Sequence, residues 1–208
     1  MIYERKKIYD LVLRLCHMVI AFSCVMLLGT AWGANFFYEE GLYRKSLWVV
    51  HIFAGYALTA ALGLRVVWGI VGSYHARWPR LFQLQQWQQI LRNPKRPVTW
   101  NWGHHPQASF FYILFYVMAL ALVVTGFFLA AIEHYQGFLA EQFFDDMSFQ
   151  PWLSNIHEIL SWGVVIFILF HIAALFYHEK KDQLPVVQSM FSGYQYRKKK
   201  GDQNENSH

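Results

Sequence analysis

Residues 153–177 read LSNIHEILSWGVVIFILFHIAALFY, an apolar run with one histidine near each end, His157 and His171. As an α-helix this stretch rises about 37 Å, enough to cross a hydrocarbon core of about 30 Å. An ionisable side chain at such depth is costly and marks a functional site by default. The two histidines are 14 residues apart, close to four turns. Both imidazoles therefore point within about 40° of one direction, about 21 Å apart along the axis.

Three further runs have the same character: Leu11–Trp32, Leu47–Val71 and Ser109–Ile132. Backbone groups in lipid must be satisfied within the spanning structure, which leaves helices or closed barrels. Barrel strands need only about 9–11 residues, so runs this long exclude them. The 208 residues are 55% hydrophobic and only 15% charged, too little charge for a soluble domain of this length. The sequence predicts an all-α fold, a four-helix transmembrane bundle, as one domain over 1–208 with a basic tail over 178–208.

The first run superficially resembles a secretory signal, with Arg5, Lys6 and Lys7 before it and Ala31-Trp32-Gly33 near its end. It is too long for such a signal and contains Arg14 and His17, so it reads as an uncleaved anchor. Cys16 and Cys24 sit on that one helix, too far apart to bond to each other, and no C-x-x-C or C-x-x-C-H occurs. Covalent haem attachment and thioredoxin-like chemistry are therefore unsupported.

Lys and Arg gather at the N-terminus, in the second connection (Arg77, Arg80, Arg92, Lys95, Arg96) and in the tail (Lys180, Lys181, Arg197–Lys200). The third connection carries Glu133, Glu141, Asp145 and Asp146 with no Lys or Arg, while Arg44 and Lys45 in the first are offset by Glu39 and Glu40. By the positive-inside rule both termini and the second connection face the cytoplasm. Topology explains the basic tail, which meets anionic lipid, more simply than nucleic-acid binding does. Apolar residues at roughly helical spacing over Trp78–Asn93 predict either a helix lying at the interface or an ordinary amphipathic loop helix. Asn93-Pro94 and Arg96-Pro97 then break it, and the polar end from Gly201 reads as disordered.

Depth along these helices sorts four histidines into two pairs. His17 lies about six residues into the first run, and His171 about six before the end of the fourth, each about 9 Å from the cytoplasmic side. His51 and His157 each lie about four residues inside the outer boundary. Any one of them alone reads equally as a packed, hydrogen-bonded residue. Two depth-matched pairs predict two cofactors, each gripped by imidazole from both sides. Zinc wants three or four N/S ligands close together. Two axial imidazoles suit haem iron. Such an iron keeps no open position, which favours electron transfer over substrate chemistry. Helix bundles hold cofactors between facing helices in this way. Small residues lie one turn from each histidine (Ala21, Gly55, Ser161, Ala174), which gives a porphyrin room, although small residues are common wherever membrane helices pack. Arg14 and Arg65 either pair with a haem propionate or snorkel to headgroups.

With these residues in view the chain resembles the b-type cytochrome subunits of nickel–iron hydrogenases, within a wider bacterial family of four-helix di-haem cytochromes b. The resemblance rests on Arg14-Leu-Cys-His17, His51-Ile-Phe-Ala-Gly55, Leu64-Arg65-Val-Val-Trp68-Gly-Ile-Val-Gly72, Gly103-His-His-Pro106, Thr125-Gly-Phe, Glu133-His134, Asn155-Ile-His157, His171 and Ser189-Met-Phe-Ser-Gly-Tyr194. It implies two non-covalent haem b groups, an outer one on His51 and His157 that receives electrons from a periplasmic hydrogenase, and an inner one on His17 and His171 that reduces quinone. A quinone site is expected near Arg14, Arg65 and the Gly103–Pro106 turn. Met18 stands where the family often has Trp, His105 replaces the usual Asn, and the first outer loop is short. Those departures bear on the partner, which is either a hydrogenase or another periplasmic redox protein such as a c-type cytochrome. Two other classes remain at this stage: a stand-alone quinone-linked oxidoreductase, and a metal or proton transporter. Transporters usually show broken helices and internal repeats, and the sequence displays neither.

Overall fold

The computed structural model describes residues 3–36, 41–92, 106–144 and 147–198. In chain order they form β1 (Tyr3–Lys7), α1 (Leu11–Phe36), α2 (Leu42–Val71), α3 (Trp78–Phe82), α4 (Leu84–Arg92), α5 (Pro106–His134), α6 (Ala140–Phe143), α7 (Gln150–Asp182), α8 (Val187–Ser192) and β2 (Tyr194–Lys198). The helices α1, α2, α5 and α7 are each long and apolar enough to cross a membrane. Three of the four begin before the apolar runs that predict them, and three run past their ends. Intrahelical hydrogen bonding does not stop at the hydrocarbon boundary, and the added turns carry headgroup-compatible residues such as Tyr43, Arg44, Lys180 and Lys181.

By contacts the chain divides into two compact units. One comprises Leu15–Val67 and Phe111–Ile168 and holds parts of all four long helices. They meet in a single core: Ile20 and Cys24 from α1, Leu58, Ala61 and Leu62 from α2, Ala119 from α5 and Val164 from α7. This is the predicted four-helix bundle. Small residues bring the axes close; a Cβ on Gly163 would stand 3.0 Å from the Met118 sulfur. Phe115 of α5 stacks on Phe167 of α7 at 4.7 Å. Large apolar side chains also cover the outside, with Phe22 68% and Phe53 66% exposed. That is costly in water and appropriate in lipid.

The other unit comprises Met1–Arg14, Trp68–Phe110 and Leu169–His208. Its centre is a short strand pair, β1 antiparallel to β2, with Tyr3 opposite Lys198 and Lys7 opposite Tyr194. The N–H groups of Ile8 and Tyr9 both donate to the Gly193 carbonyl, at 2.9 and 3.1 Å. Gly193 has φ +83°, and a Cβ there would lie 2.6 Å from the Tyr9 carbonyl oxygen, so glycine is required on both counts. Arg14 donates to the Phe191 carbonyl. Ile8, Tyr9, Leu13 and Ala76 form a buried cluster beneath.

Asp10 ties this unit together. Its carboxylate caps α1 by accepting the Leu13 N–H at 2.8 Å. It also accepts the Trp68 indole N–H at 3.0 Å and the Ser73 hydroxyl. Burial pushes the Asp10 carboxyl up, but the Ser73 hydroxyl, the Leu13 N–H, the Trp68 indole and the Val12 N–H together hold it below the ordinary carboxylate range.

One expectation changes in detail. The helix predicted over Trp78–Asn93 is two pieces, α3 and α4, because Gln83 adopts φ 45°, ψ 41° and ends the first. Within the basic tail α7 continues to Asp182, and α8 and β2 follow. Strand pairing with the N-terminus supplies the hydrogen bonds that a free tail lacks. The Asn93-Pro94 and Arg96-Pro97 breaks, Gly103, His104 and His105 fall outside the described residues. So do Glu39, Glu40, Lys95, Arg96, Asp145, Asp146, Lys199, Lys200 and the end from Gly201.

Candidate haem-binding site

Helix α2 carries His51 and helix α7 carries His157, and the bundle turns both inward. Their ring centroids are 6.5 Å apart, with the planes inclined by 58°. Imidazole nitrogens bind a transition metal at about 2 Å, so two rings on opposite sides of one ion have centroids about 6 Å apart. The observed spacing fits a single metal held between them.

The hydrogen bonds behind the rings fix which nitrogen is available. Nδ1 of His51 lies 3.0 Å from the Leu27 carbonyl and 3.2 Å from the Thr30 hydroxyl oxygen. A carbonyl only accepts, so Nδ1 carries the proton and donates. The Thr30 hydroxyl sends its own hydrogen along α1 to the Met26 carbonyl, 2.6 Å away. Nδ1 of His157 lies 2.8 Å from the Thr125 hydroxyl oxygen. That hydroxyl donates to the Ala121 carbonyl at 2.9 Å, so it accepts from His157. In both rings Nδ1–H is engaged, and Nε2 keeps the lone pair a metal needs. Anchoring the distal nitrogen is the usual support for a metal-binding histidine.

Gly126 completes the seat. A Cβ there would stand 3.4 Å from Cε1 of His157, so the imidazole lies against the backbone of α5. Beside His51, a Cβ on Gly55 would meet nothing within 4 Å, which leaves room on that side. Among the described residues there is no group of three or more His, Cys, Asp or Glu that could hold a metal ion. Two imidazoles alone are a poor zinc site but suit an iron whose other four ligands come from a porphyrin. The residues present therefore fit a haem.

Trp48 borders the site, edge-on to the His51 ring at 5.4 Å and 5.6 Å from the ring of His134. His134 in turn is 4.0 Å from the Glu133 carboxylate. A cavity of about 410 Å³ opens there, lined by Lys45, Trp48, Glu133, His134 and Phe144 among others.

The remaining sequence-predicted residues lie elsewhere. His17 of α1 is half-buried in the same unit as the His51–His157 pair, and His171 of α7 is half-buried in the other. Their pairing rests on depth in the sequence. Arg65 is 4% exposed, with its guanidinium 5.8 Å from the Tyr116 ring centroid, a cation–π contact. Arg14 is engaged by the Phe191 carbonyl in the strand-containing unit.

A family profile described as prokaryotic cytochrome b561 matches residues 8–193. The chain belongs to that family. It is thus a multi-pass membrane b-type cytochrome, and haem b is the group that the His51–His157 seat fits. Among its relatives is a protein named probable Ni/Fe-hydrogenase B-type cytochrome subunit from Bradyrhizobium diazoefficiens, 26% identical over 89% of this chain and 84% of that protein. The protein of the same name from Azotobacter vinelandii is 26% identical over 90% and 87%. The probable Ni/Fe-hydrogenase 1 B-type cytochrome subunit of Escherichia coli K12 is 24% identical over 75% and 73%. No solved structure matches the chain.

Sequence reasoning missed Thr30, the Leu27 carbonyl, Trp48 and His134 as neighbours of the site. Thr125, Gly126 and the Glu133-His134 pair appear among the motif residues that carry the family resemblance. Their roles emerge only once α5 is placed against α7.

Proposed function

We propose that this cytochrome is the membrane electron-transfer subunit of a quinone-linked complex, receiving electrons from a periplasmic Ni/Fe-hydrogenase and passing them to quinone. The observation that carries the reading is the His51–His157 pair, 6.5 Å apart with both Nδ1 atoms anchored. Haem b, when bound, supplies reversible one-electron chemistry at iron. The protein's part is to grip, orient and insulate. His51 and His157 would both hold the haem through Nε2, and the chemistry it would supply there is electron transfer. Leu27, Thr30 and Thr125 hold the tautomer and the ring planes. Both rings are half-buried among the helices.

We assign a second haem to His17 and His171, because these histidines match in depth in the sequence and the seat at His51 and His157 takes only one. Arg14 and Arg65 are the cations proposed for haem propionates, and quinone is proposed to meet the cytoplasmic end. The charge distribution supports an inner-membrane chain with both termini cytoplasmic. The names of the relatives support hydrogenase as donor.

The test uses membranes that contain this chain with and without the hydrogenase of the same cell. Hydrogen is expected to reduce a low-spin b-type absorbance only when both are present, and added quinone to reoxidise it. A b-type band that stays oxidised under hydrogen with active hydrogenase present would remove the donor from the proposal. Reduction by quinol alone, with no protein partner, would favour the stand-alone oxidoreductase.

A further inference from the structure

The β1–β2 ribbon has two unlike faces. Directly opposed residues share a face of an antiparallel pair, and residues two apart along a strand share it too. The register sets Tyr3 opposite Lys198, Arg5 opposite Tyr196 and Lys7 opposite Tyr194. On one face the described side chains are Tyr3, Arg5, Lys7, Tyr194 and Tyr196, with no acid among them. The other face carries Glu4 and sets Lys6 opposite Gln195. There the charge of Glu4 offsets that of Lys6.

All five residues of β1 are exposed. On the cationic face the Arg5 guanidinium lies over the Tyr194 ring, 5.2 Å from its centroid, so cation and aromatic interleave. The ribbon is also held close to a membrane span. Only three residues separate Lys7 from the start of α1. Ile8 and Tyr9 donate to Gly193, and Arg14 to Phe191, which fixes both strands to the head of that helix.

Tyrosine interleaved with lysine and arginine is the composition of a surface that sits at lipid headgroups, where rings bridge apolar and wet layers and cations meet phosphate. We propose that the Arg5/Lys7/Tyr194 face of the ribbon is a docking surface for anionic phospholipid headgroups, joining the two ends of the chain to the membrane beside α1. It rests on α1 being a membrane span and is independent of the haems and of the donor. Charge complementarity selects the lipid, since the described side chains of the face include Arg5 and Lys7 and no acid, and the face lies next to a bilayer.

The test follows amide hydrogen exchange of residues 3–7 in the full-length holoprotein, in nanodiscs of phosphatidylcholine with or without phosphatidylglycerol. Phosphatidylglycerol is expected to slow exchange in the ribbon. Lys7→Gln and Lys6→Gln each remove one charge, from opposite faces. Each cation near an anionic surface adds about fivefold to the attraction, so Arg5→Gln/Lys7→Gln is expected to weaken the response roughly 30-fold. Lys7→Gln should weaken it and Lys6→Gln should leave most of it. Arg5→Lys/Lys7→Arg should retain it, which separates lost charge from a disturbed strand; the haem absorbance reports that the chain remains folded. Equal exchange in the two lipids overturns the proposal, as does equal loss in Lys6→Gln and Lys7→Gln. Protection by a short oligonucleotide in phosphatidylcholine discs, without a phosphatidylglycerol response, would also overturn it and assign the face to nucleic acid.

Discussion

Thr125 decides which nitrogen of His157 carries the proton. Its hydroxyl gives its one hydrogen to the Ala121 carbonyl at 2.9 Å, and His157 Nδ1 stands 2.8 Å from the same oxygen. The imidazole must be the donor, and Nε2 is left with its lone pair. A helix-internal threonine whose hydroxyl bonds back along its own helix thus does work on another helix. Thr30 does the same on α1, its hydroxyl hydrogen directed to Met26 and its oxygen 3.2 Å from His51 Nδ1.

Thr125→Val tests that relationship. Valine keeps the shape and removes the acceptor, so the Nδ1–H of His157 loses its partner and the ring is free to turn. Loss of such a supporting contact typically weakens metal binding by about 10- to 100-fold. The expected result is faster loss of one haem to a scavenging apoprotein, with the other unchanged. Thr125→Ser keeps the acceptor and should hold both. Equal haem retention in Thr125→Val and the parent would show that the hydroxyl has no supporting role.

Histidine replacements separate the two proposed haems. His51→Ala and His17→Ala are each expected to lower the haem content from about two per chain to about one, since a bis-histidine iron depends on both imidazoles. A redox titration should then lose one of two waves, a different one in each variant. Two haems retained in His51→Ala would refute the pairing with His157. One haem per chain in the parent would refute the assignment of His17 and His171.

Gly126 offers a steric test of the same seat. A Cβ at 3.4 Å from His157 Cε1 is at the edge of ordinary contact, so Gly126→Ala should be tolerated with a small shift of the haem band. Gly126→Val adds two methyl groups against the ring and should cost about 1–3 kcal/mol as overpacking, seen as lost haem or a lowered melting temperature. A valine variant with the parent's spectrum and stability would place the ring elsewhere.

The four spans were legible because hydropathy over 20 residues or more is a strong signal and lipid permits few architectures. The His51–His157 pair was legible because both histidines sit about four residues inside the start of their apolar runs. What supports them was not. Thr30, Thr125 and the Leu27 carbonyl are ordinary residues of apolar helices, and only the rotation of α1 and α5 about their axes brings them to the imidazoles. Hydropathy sets a helix's depth and leaves its rotation open. The β1–β2 ribbon was hidden for another reason. Its strands are five residues each, charged, and separated by most of the chain, so neither shows the alternation of a half-buried strand. Asp10 goes unread in the sequence, because its bonds to Trp68 and Ser73 reach residues about 60 positions away.

Asp10 also gives the chain a pH dependence whose sign can be stated. In the folded chain its carboxyl is held below the ordinary range by four donors, against the opposing effect of burial. A depressed folded-state value means the unfolded chain takes up the proton more readily as the pH falls. The stabilisation is therefore complete above the ordinary aspartate value of about 3.9 and is lost as pH drops through the folded-state value. Asp10→Asn retains an acceptor for the Leu13 N–H but cannot titrate, so its melting temperature should change less between pH 6 and pH 3 (roughly the range that spans the ordinary value) than the parent's. Asp10→Ala removes the cap and is expected to cost about 1 kcal/mol near neutral pH, with faster amide exchange in the first turn of α1. The measurement is thermal melting of the purified holoprotein in detergent across that pH range, with exchange at Leu13 as the local readout. Parallel melting curves for Asp10→Asn and the parent would mean that the carboxylate does not hold the head of α1 to Trp68 and Ser73.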